Sequence, residues 1–145
     1  MPVGALLDTG PLVAYLYPRD AYHDWAVEQF EAATTPFITC EAVLTEACFL
    51  TFRNGQEPLR VIRLVSSGVV RIGLDVGEEI TVIEAAMQRY ANVPMSLADA
   101  CLVRLAETRR LPICTLDSDF TIYRTRSGRA FDLVSPPGRG ALHEP

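Results

Sequence analysis

The sequence predicts a three-layer α/β/α domain with a mostly parallel central sheet. Short apolar runs alternate along the chain with segments whose apolar residues recur at three-to-four spacing, the order that favours parallel strands joined by helices. Two of those runs end in an aspartate, at Asp8 and at Asp117. The 145 residues, 49% hydrophobic and 21% charged, suit one core rather than two. The expectation is therefore a single domain over 1–145, with a loose Pro- and Gly-rich tail from about 136.

Val3 to Leu7 reads as a strand that delivers Asp8 to the tight Thr9-Gly10-Pro11 turn. LVAYLY then forms a helical face, broken by Pro18. HDWAVEQFEAA forms a second helix, with Trp25, Ala26, Phe30 and Ala33 near one side. PFITC is a strand, and Glu41 to Phe52 keeps a helical rhythm that places Glu46 on a helix stopped by Asn54 and Gly55. A helix between Pro58 and Val65 ends at Gly68, VVRIGL is a strand, and DVGEE opens a helix across Ile80, Ile83, Ala86, Met87 and Tyr90. MSLADACLVRLAETRR is a helix with Ser96 as N-cap and Asp99 three residues on. PICTLD is a short strand leading into a polar loop with Asp117 and Asp119, and FDLVSP is an edge or terminal strand.

All 13 basic residues are arginines, against 18 acids, for a formal charge of -5, which excludes a strongly basic nucleic-acid binder. An enzyme acting on nucleic acid stays open, because acids gathered around a metal lower the sum without covering the substrate face. Distribution matters more: residues 1–103 carry 6 Arg and 13 acids, whereas 104–145 carry 7 Arg and 5 acids. Arg104, Arg109, Arg110, Arg124, Arg126 and Arg129 are thus candidates to flank the strand-end crevice and touch backbone phosphates, with ordinary solubility as the alternative. Cys40, Cys48, Cys101 and Cys114 lack metal-ligand spacing, so free thiols in a reducing, cytoplasmic setting are expected. The start has no basic region before Asp8 and no run is long enough to span a bilayer, so neither export nor membrane insertion is expected.

In the predicted fold Asp8 and Asp117 follow strands, and Glu46 and Asp99 project from helices toward the same end. Four converging carboxylates raise one another's pKa, and a hard cation such as Mg²⁺, with Mn²⁺ as alternative, relieves that conflict through oxygen ligands. Each acid also has a plain structural reading. Asp8 can cap a turn, Glu46 can be a solvated helix residue, and Asp99 can complete a capping box with Ser96. His23, in an amphipathic segment, and His143, in the tail, read as surface or packing residues. Tyr15, Tyr17, Trp25 and Phe30 fit either a groove for a protein partner or the core.

The motifs LLDTGPLVAYL, TEA, SLADACLVRLA and CTLDSDF together resemble a PIN-domain ribonuclease across the whole chain, and the size resembles the VapC toxins of toxin–antitoxin pairs. The resemblance assigns the family's four acids to Asp8, Glu46, Asp99 and Asp117, with Asp119 as a supporting or alternate metal ligand and Thr9 and Thr115 as supporting hydroxyls. It implies an endoribonuclease in which one ion is held mainly by Asp8, Asp99 and Asp117 and a second is assisted by Glu46, leaving a 5′-phosphate and a 3′-hydroxyl. It further implies a VapB-like antitoxin as partner and a homodimer. Gly10-Pro11 departs from the Ser or Asn and apolar residue of many relatives. A catalytically weak module that binds RNA or an antitoxin is the alternative. One DTG turn in an α/β rhythm argues against an aspartic protease, and the missing second acid and absent lysine argue against a phospho-aspartate phosphatase.

Overall fold

A computed structural model describes residues 4–138. Val3, His143 and the tail expected beyond 138 lie outside the described residues. The elements run β1 (Leu6–Leu7), α1 (Thr9–Leu16), α2 (His23–Ala32), β2 (Phe37–Thr39), α3 (Glu41–Arg53), α4 (Leu59–Ser66), β3 (Val70–Ile72), α5 (Ile80–Arg89), α6 (Leu97–Arg109), β4 (Ile113–Cys114) and β5 (Leu133–Val134), with a 3₁₀ turn over Ser118–Thr121. The sheet is parallel throughout, in the order β3-β2-β1-β4-β5. The molecule is thus the three-layer α/β/α fold the alternation predicts.

Two-residue strands suffice because each side chain goes to a different layer. Leu6 and Ile113 pack with α6, Ile83, Phe120 and Tyr123 on one face. Leu7 and Cys114 pack with Leu12, Leu16, Leu44 and Val61 on the other. Helix α6 lies deep enough that Ala98 through Val103 are all buried, so it shows no single apolar stripe. Helix α3 ends at Asn54 with Gly55 at φ 81°, and α4 ends before Gly68 at φ 85°, left-handed positions that glycine occupies without a Cβ penalty.

Helix α2 stops one residue earlier than its apolar spacing predicts. Ala33 has extended backbone and is exposed, since the chain must already turn toward β2. Tyr15 stacks on Phe30 at 3.9 Å and Phe30 tilts against Phe37 at 4.7 Å, so these rings, with Trp25, belong to the core rather than to a groove. All four cysteines are free thiols. Among the described residues no helix is long and apolar enough to cross a membrane.

The chain runs from β1 outward to β2 and β3, then returns to place β4 on β1's other side. The reversal between β1 and β4 opens a crevice beyond their carboxyl ends, the usual ligand position in open parallel sheets.

Candidate metal centre

Asp8 leaves β1 directly into that crevice. Its Oδ1 accepts from the backbone N–H of Thr9 at 2.7 Å, capping α1, and its Oδ2 accepts from the Thr115 hydroxyl at 2.7 Å. Thr115 Oγ1 also accepts from the backbone N–H of Asp117 at 2.9 Å. One buried hydroxyl therefore ties the end of β1 to the loop after β4. Thr9 Oγ1 donates to Glu46 Oε1 at 2.6 Å, bringing the exposed carboxylate of α3 to the same rim. Gly10 lets the start of α1 approach this loop closely: a Cβ there would stand 3.2 Å from Leu116 Cβ.

The capping box at the start of α6 is half formed. Ser96 Oγ accepts from the Asp99 N–H at 3.0 Å, but the Asp99 side chain turns inward, where its Oδ2 accepts from the fully buried Tyr123 hydroxyl at 2.7 Å. On the opposite wall Asp117 caps the 3₁₀ turn, its Oδ1 accepting from the Asp119 N–H at 2.9 Å. One carboxylate oxygen from each of Asp99, Asp117 and Asp119 lies within 4.8 Å of the others. Asp8 lies outside this trio.

Asp8, Thr9, Glu46, Asp99, Asp117 and Asp119 line one open cleft of about 570 Å³, and among the described residues no basic side chain lines it. Burial pushes the Asp8 carboxyl up to about 7 from 3.8, and the charges of Asp99 and Asp117 add to the rise against the lowering hydrogen bonds of Thr115 and Thr9. Asp99 is raised by burial and then by Asp117, with Tyr123 and Ser96 pulling the other way. Asp119 is raised by burial and by Asp117. Burial and the adjacent Asp99 carboxylate push the Tyr123 phenol up, so it stays a donor.

This donor set fits a hard divalent cation. One oxygen of each of the three carboxylates lies near enough to the others to share one ion, and the exposed side leaves room for retained water. Asp99, Asp117 and Asp119 would hold it, with Asp8 and Glu46 beside them.

The arginines lie elsewhere. Arg104 pairs with Glu79 at 2.9 Å and Glu107 at 3.6 Å, Arg109 donates to the Gly73 carbonyl, and Arg124 donates to the carbonyls of Thr121, Ile122 and Tyr123. Arg104, Arg110, Arg126 and Arg129 line a separate hollow that shares no lining residue with the acidic cleft. His23 donates from Nδ1 to the Ala14 carbonyl at 2.7 Å, a packing role. Sequence reasoning missed Tyr123 altogether. Its partner is 24 residues away, and the only signal was an aromatic just beyond the Asp119 loop. Asp119, expected as a supporting or alternate ligand, stands in the trio with Asp99 and Asp117, and Asp8 lines the same cleft.

Among solved structures, the Sarcin-Ricin loop cleaving toxin VapC20 of Mycobacterium tuberculosis is 21% identical, with a TM-score of 0.65 over 74% of this chain and 84% of that one, a likeness of fold. No curated protein matches. The PIN-domain family model matches residues 5–125, a span from β1 past Tyr123 that includes every acid of the cleft, and the chain belongs to the PIN-domain family.

Proposed function

We propose that this protein is a metal-dependent endoribonuclease that hydrolyses RNA phosphodiester bonds, and that it is the toxin of a toxin–antitoxin pair. The observation that carries the catalytic reading is the convergence of Asp99, Asp117 and Asp119 within 4.8 Å at the β1/β4 crevice. A Mg²⁺ or Mn²⁺ bound there, with a second ion near Glu46, supplies Lewis-acid stabilisation of phosphoryl oxygen and an acidified water. The chain's own side chains hold and orient. Tyr123 fixes the Asp99 carboxylate, Thr115 fixes Asp8 against the Asp117 loop, and Thr9 fixes Glu46. With no arginine lining the cleft among the described residues, a phosphodiester meets only repulsion there until a cation is held.

The toxin reading is supported by likeness of fold to VapC20 and by exposed apolar groups on α3 and α4. Phe49 and Phe52 on α3 are 58% and 67% exposed, and Leu59 and Ile62 on the adjoining α4 are exposed as well, apolar groups suited to a VapB-like antitoxin or a second copy. The free thiols suit a cytoplasmic setting.

The test is a Mg²⁺ or Mn²⁺ titration against a mixed RNA pool with wild type, Asp8→Asn and Asp99→Asn. Metal-dependent cleavage by wild type alone is expected. Equal cleavage by all three refutes the mechanism, and RNA binding without turnover by wild type leaves only the binding-module alternative.

A further inference from the structure

We propose that the hollow between the C-terminal half of α6 and the 124–130 hairpin is an exosite for the sugar-phosphate backbone of single-stranded RNA, held by Arg110, Arg126 and Arg129. The proposal takes its ligand from the ribonuclease reading and adds a second place where that ligand is gripped.

The hollow is built on a fixed frame. The hairpin closes through the Arg124–Ala130 bridge and the hydrogen bond from Thr125 N–H to Arg129 O at 2.8 Å, and Thr125 Oγ1 accepts from Arg129 N–H at 3.0 Å. The Arg126 N–H donates to Glu107 Oε2 at 2.6 Å, which pins the hairpin to α6. Arg110 follows α6 with left-handed backbone at φ 55°, turning its side chain out of the helical path. The resulting cavity is about 440 Å³.

Of the arginines in this region, Arg104, Arg109 and Arg124 spend their guanidiniums on structural partners. Arg110, Arg126 and Arg129 are exposed and, among the described residues, make no guanidinium hydrogen bond or ion pair. Of the two acids in the lining, Glu107 is engaged by Arg126 N–H and Arg104, leaving Asp132 as the free countercharge. Three such guanidiniums around one hollow repel one another unless an anion with several charges sits between them.

A neighbouring depression of about 320 Å³ shares Arg126 and Glu107 but is lined chiefly by apolar groups, including Val82, Ala86, Tyr90 and Val103. Charged and apolar hollows side by side match an unpaired strand, whose phosphates and bases are both free, better than a duplex or an acidic protein. The reach also fits. Asp99 and Arg110 are eleven residues apart along α6 and its cap, about 16 Å at 1.5 Å per residue. That is on the order of five phosphates at about 3.4 Å per stacked nucleotide.

The experiment measures binding of a labelled 12-nucleotide RNA and a trinucleotide in EDTA, across a salt series. Wild type is compared with Arg126→Gln/Arg129→Gln, with the same pair plus Arg110→Asn, and with Arg60→Gln/Arg63→Gln on α4 as control. Asn tolerates the left-handed position, and the double variant leaves that cap untouched should the triple variant fold poorly. The triple variant should bind the 12-mer at least about tenfold more weakly. Its log K against log salt slope should fall by about 2, at about 0.7 for each phosphate no longer neutralised. In EDTA the acidic cleft repels phosphate, so the trinucleotide has the same hollow to bind and should weaken in the same variants.

Unchanged 12-mer affinity and slope would overturn the exosite, as would an equal loss in the control or displacement of RNA by polyglutamate as readily as by unlabelled RNA. A wild type that cleaves nothing with metal present would sink the ribonuclease reading, while the EDTA binding series would still decide the exosite.

Discussion

Replacing Asp8 by Asn should make the metal-free protein's stability less sensitive to pH. The Asp8 carboxyl is buried and pushed up to about 7, so the folded state holds its proton more tightly than the unfolded chain, where the value is 3.8. A raised folded pKa contributes stability that is complete below about 3.8 and is lost as pH rises through about 7. A displacement of about three units at 1.36 kcal/mol per unit gives about 4 kcal/mol, lost at about 1.4 kcal/mol per pH unit. Asn keeps the geometry: its oxygen accepts from Thr9 N–H, and its amide donates to Thr115 Oγ1. Urea unfolding in EDTA at pH 5 and pH 7 should show wild type losing about 2.5 kcal/mol more than Asp8→Asn. Equal losses would show that Asp8 is not held neutral by its surroundings, and the reasoning from burial would fail.

Tyr123→Phe removes the hydroxyl that donates to Asp99 Oδ2. Urea unfolding should show a loss of about 1–3 kcal/mol, and divalent-metal affinity should drop about 10–100-fold by titration. Because that hydrogen bond lowers the Asp99 pKa, the acidic limb of the cleavage pH profile should move to higher pH. Thr115→Val deletes both the donor to Asp8 and the acceptor for Asp117 N–H, and should cost about 2–4 kcal/mol by the same unfolding assay while lowering cleavage. Retained stability in either variant would mean that water replaces the lost hydroxyl.

The acids on strand ends were legible because an apolar run that breaks at a charged residue has little choice of direction. Leu6 and Leu7 are committed to opposite layers, and Asp8 must emerge at the carboxyl end of the central strand. Several plain structural readings turned out to be compatible with a site rather than opposed to it. Asp8 does cap α1, and Asp99 N–H does bond Ser96, yet both carboxylates line the cleft. What the sequence hid depends on side-chain direction. Tyr123 reaches Asp99 through the core from the far side of the 3₁₀ turn, and no periodicity encodes that hydrogen bond. The same limit applies to the arginines. Their regional excess was visible, but whether each guanidinium would be spent on Glu79, on the Gly73 carbonyl or on nothing is settled by packing around α6. Helix α2 ends one residue short of its apolar spacing because Ala33 satisfies that spacing while the chain there is already extended.

Mn²⁺ binding followed by electron paramagnetic resonance tests, without recourse to substrate, whether Asp99, Asp117 and Asp119 hold the metal. Wild type should take up Mn²⁺, and Asp99→Asn and Asp119→Asn should each bind it at least about tenfold more weakly. Equal Mn²⁺ affinity in all three proteins would mean that these carboxylates do not hold the ion.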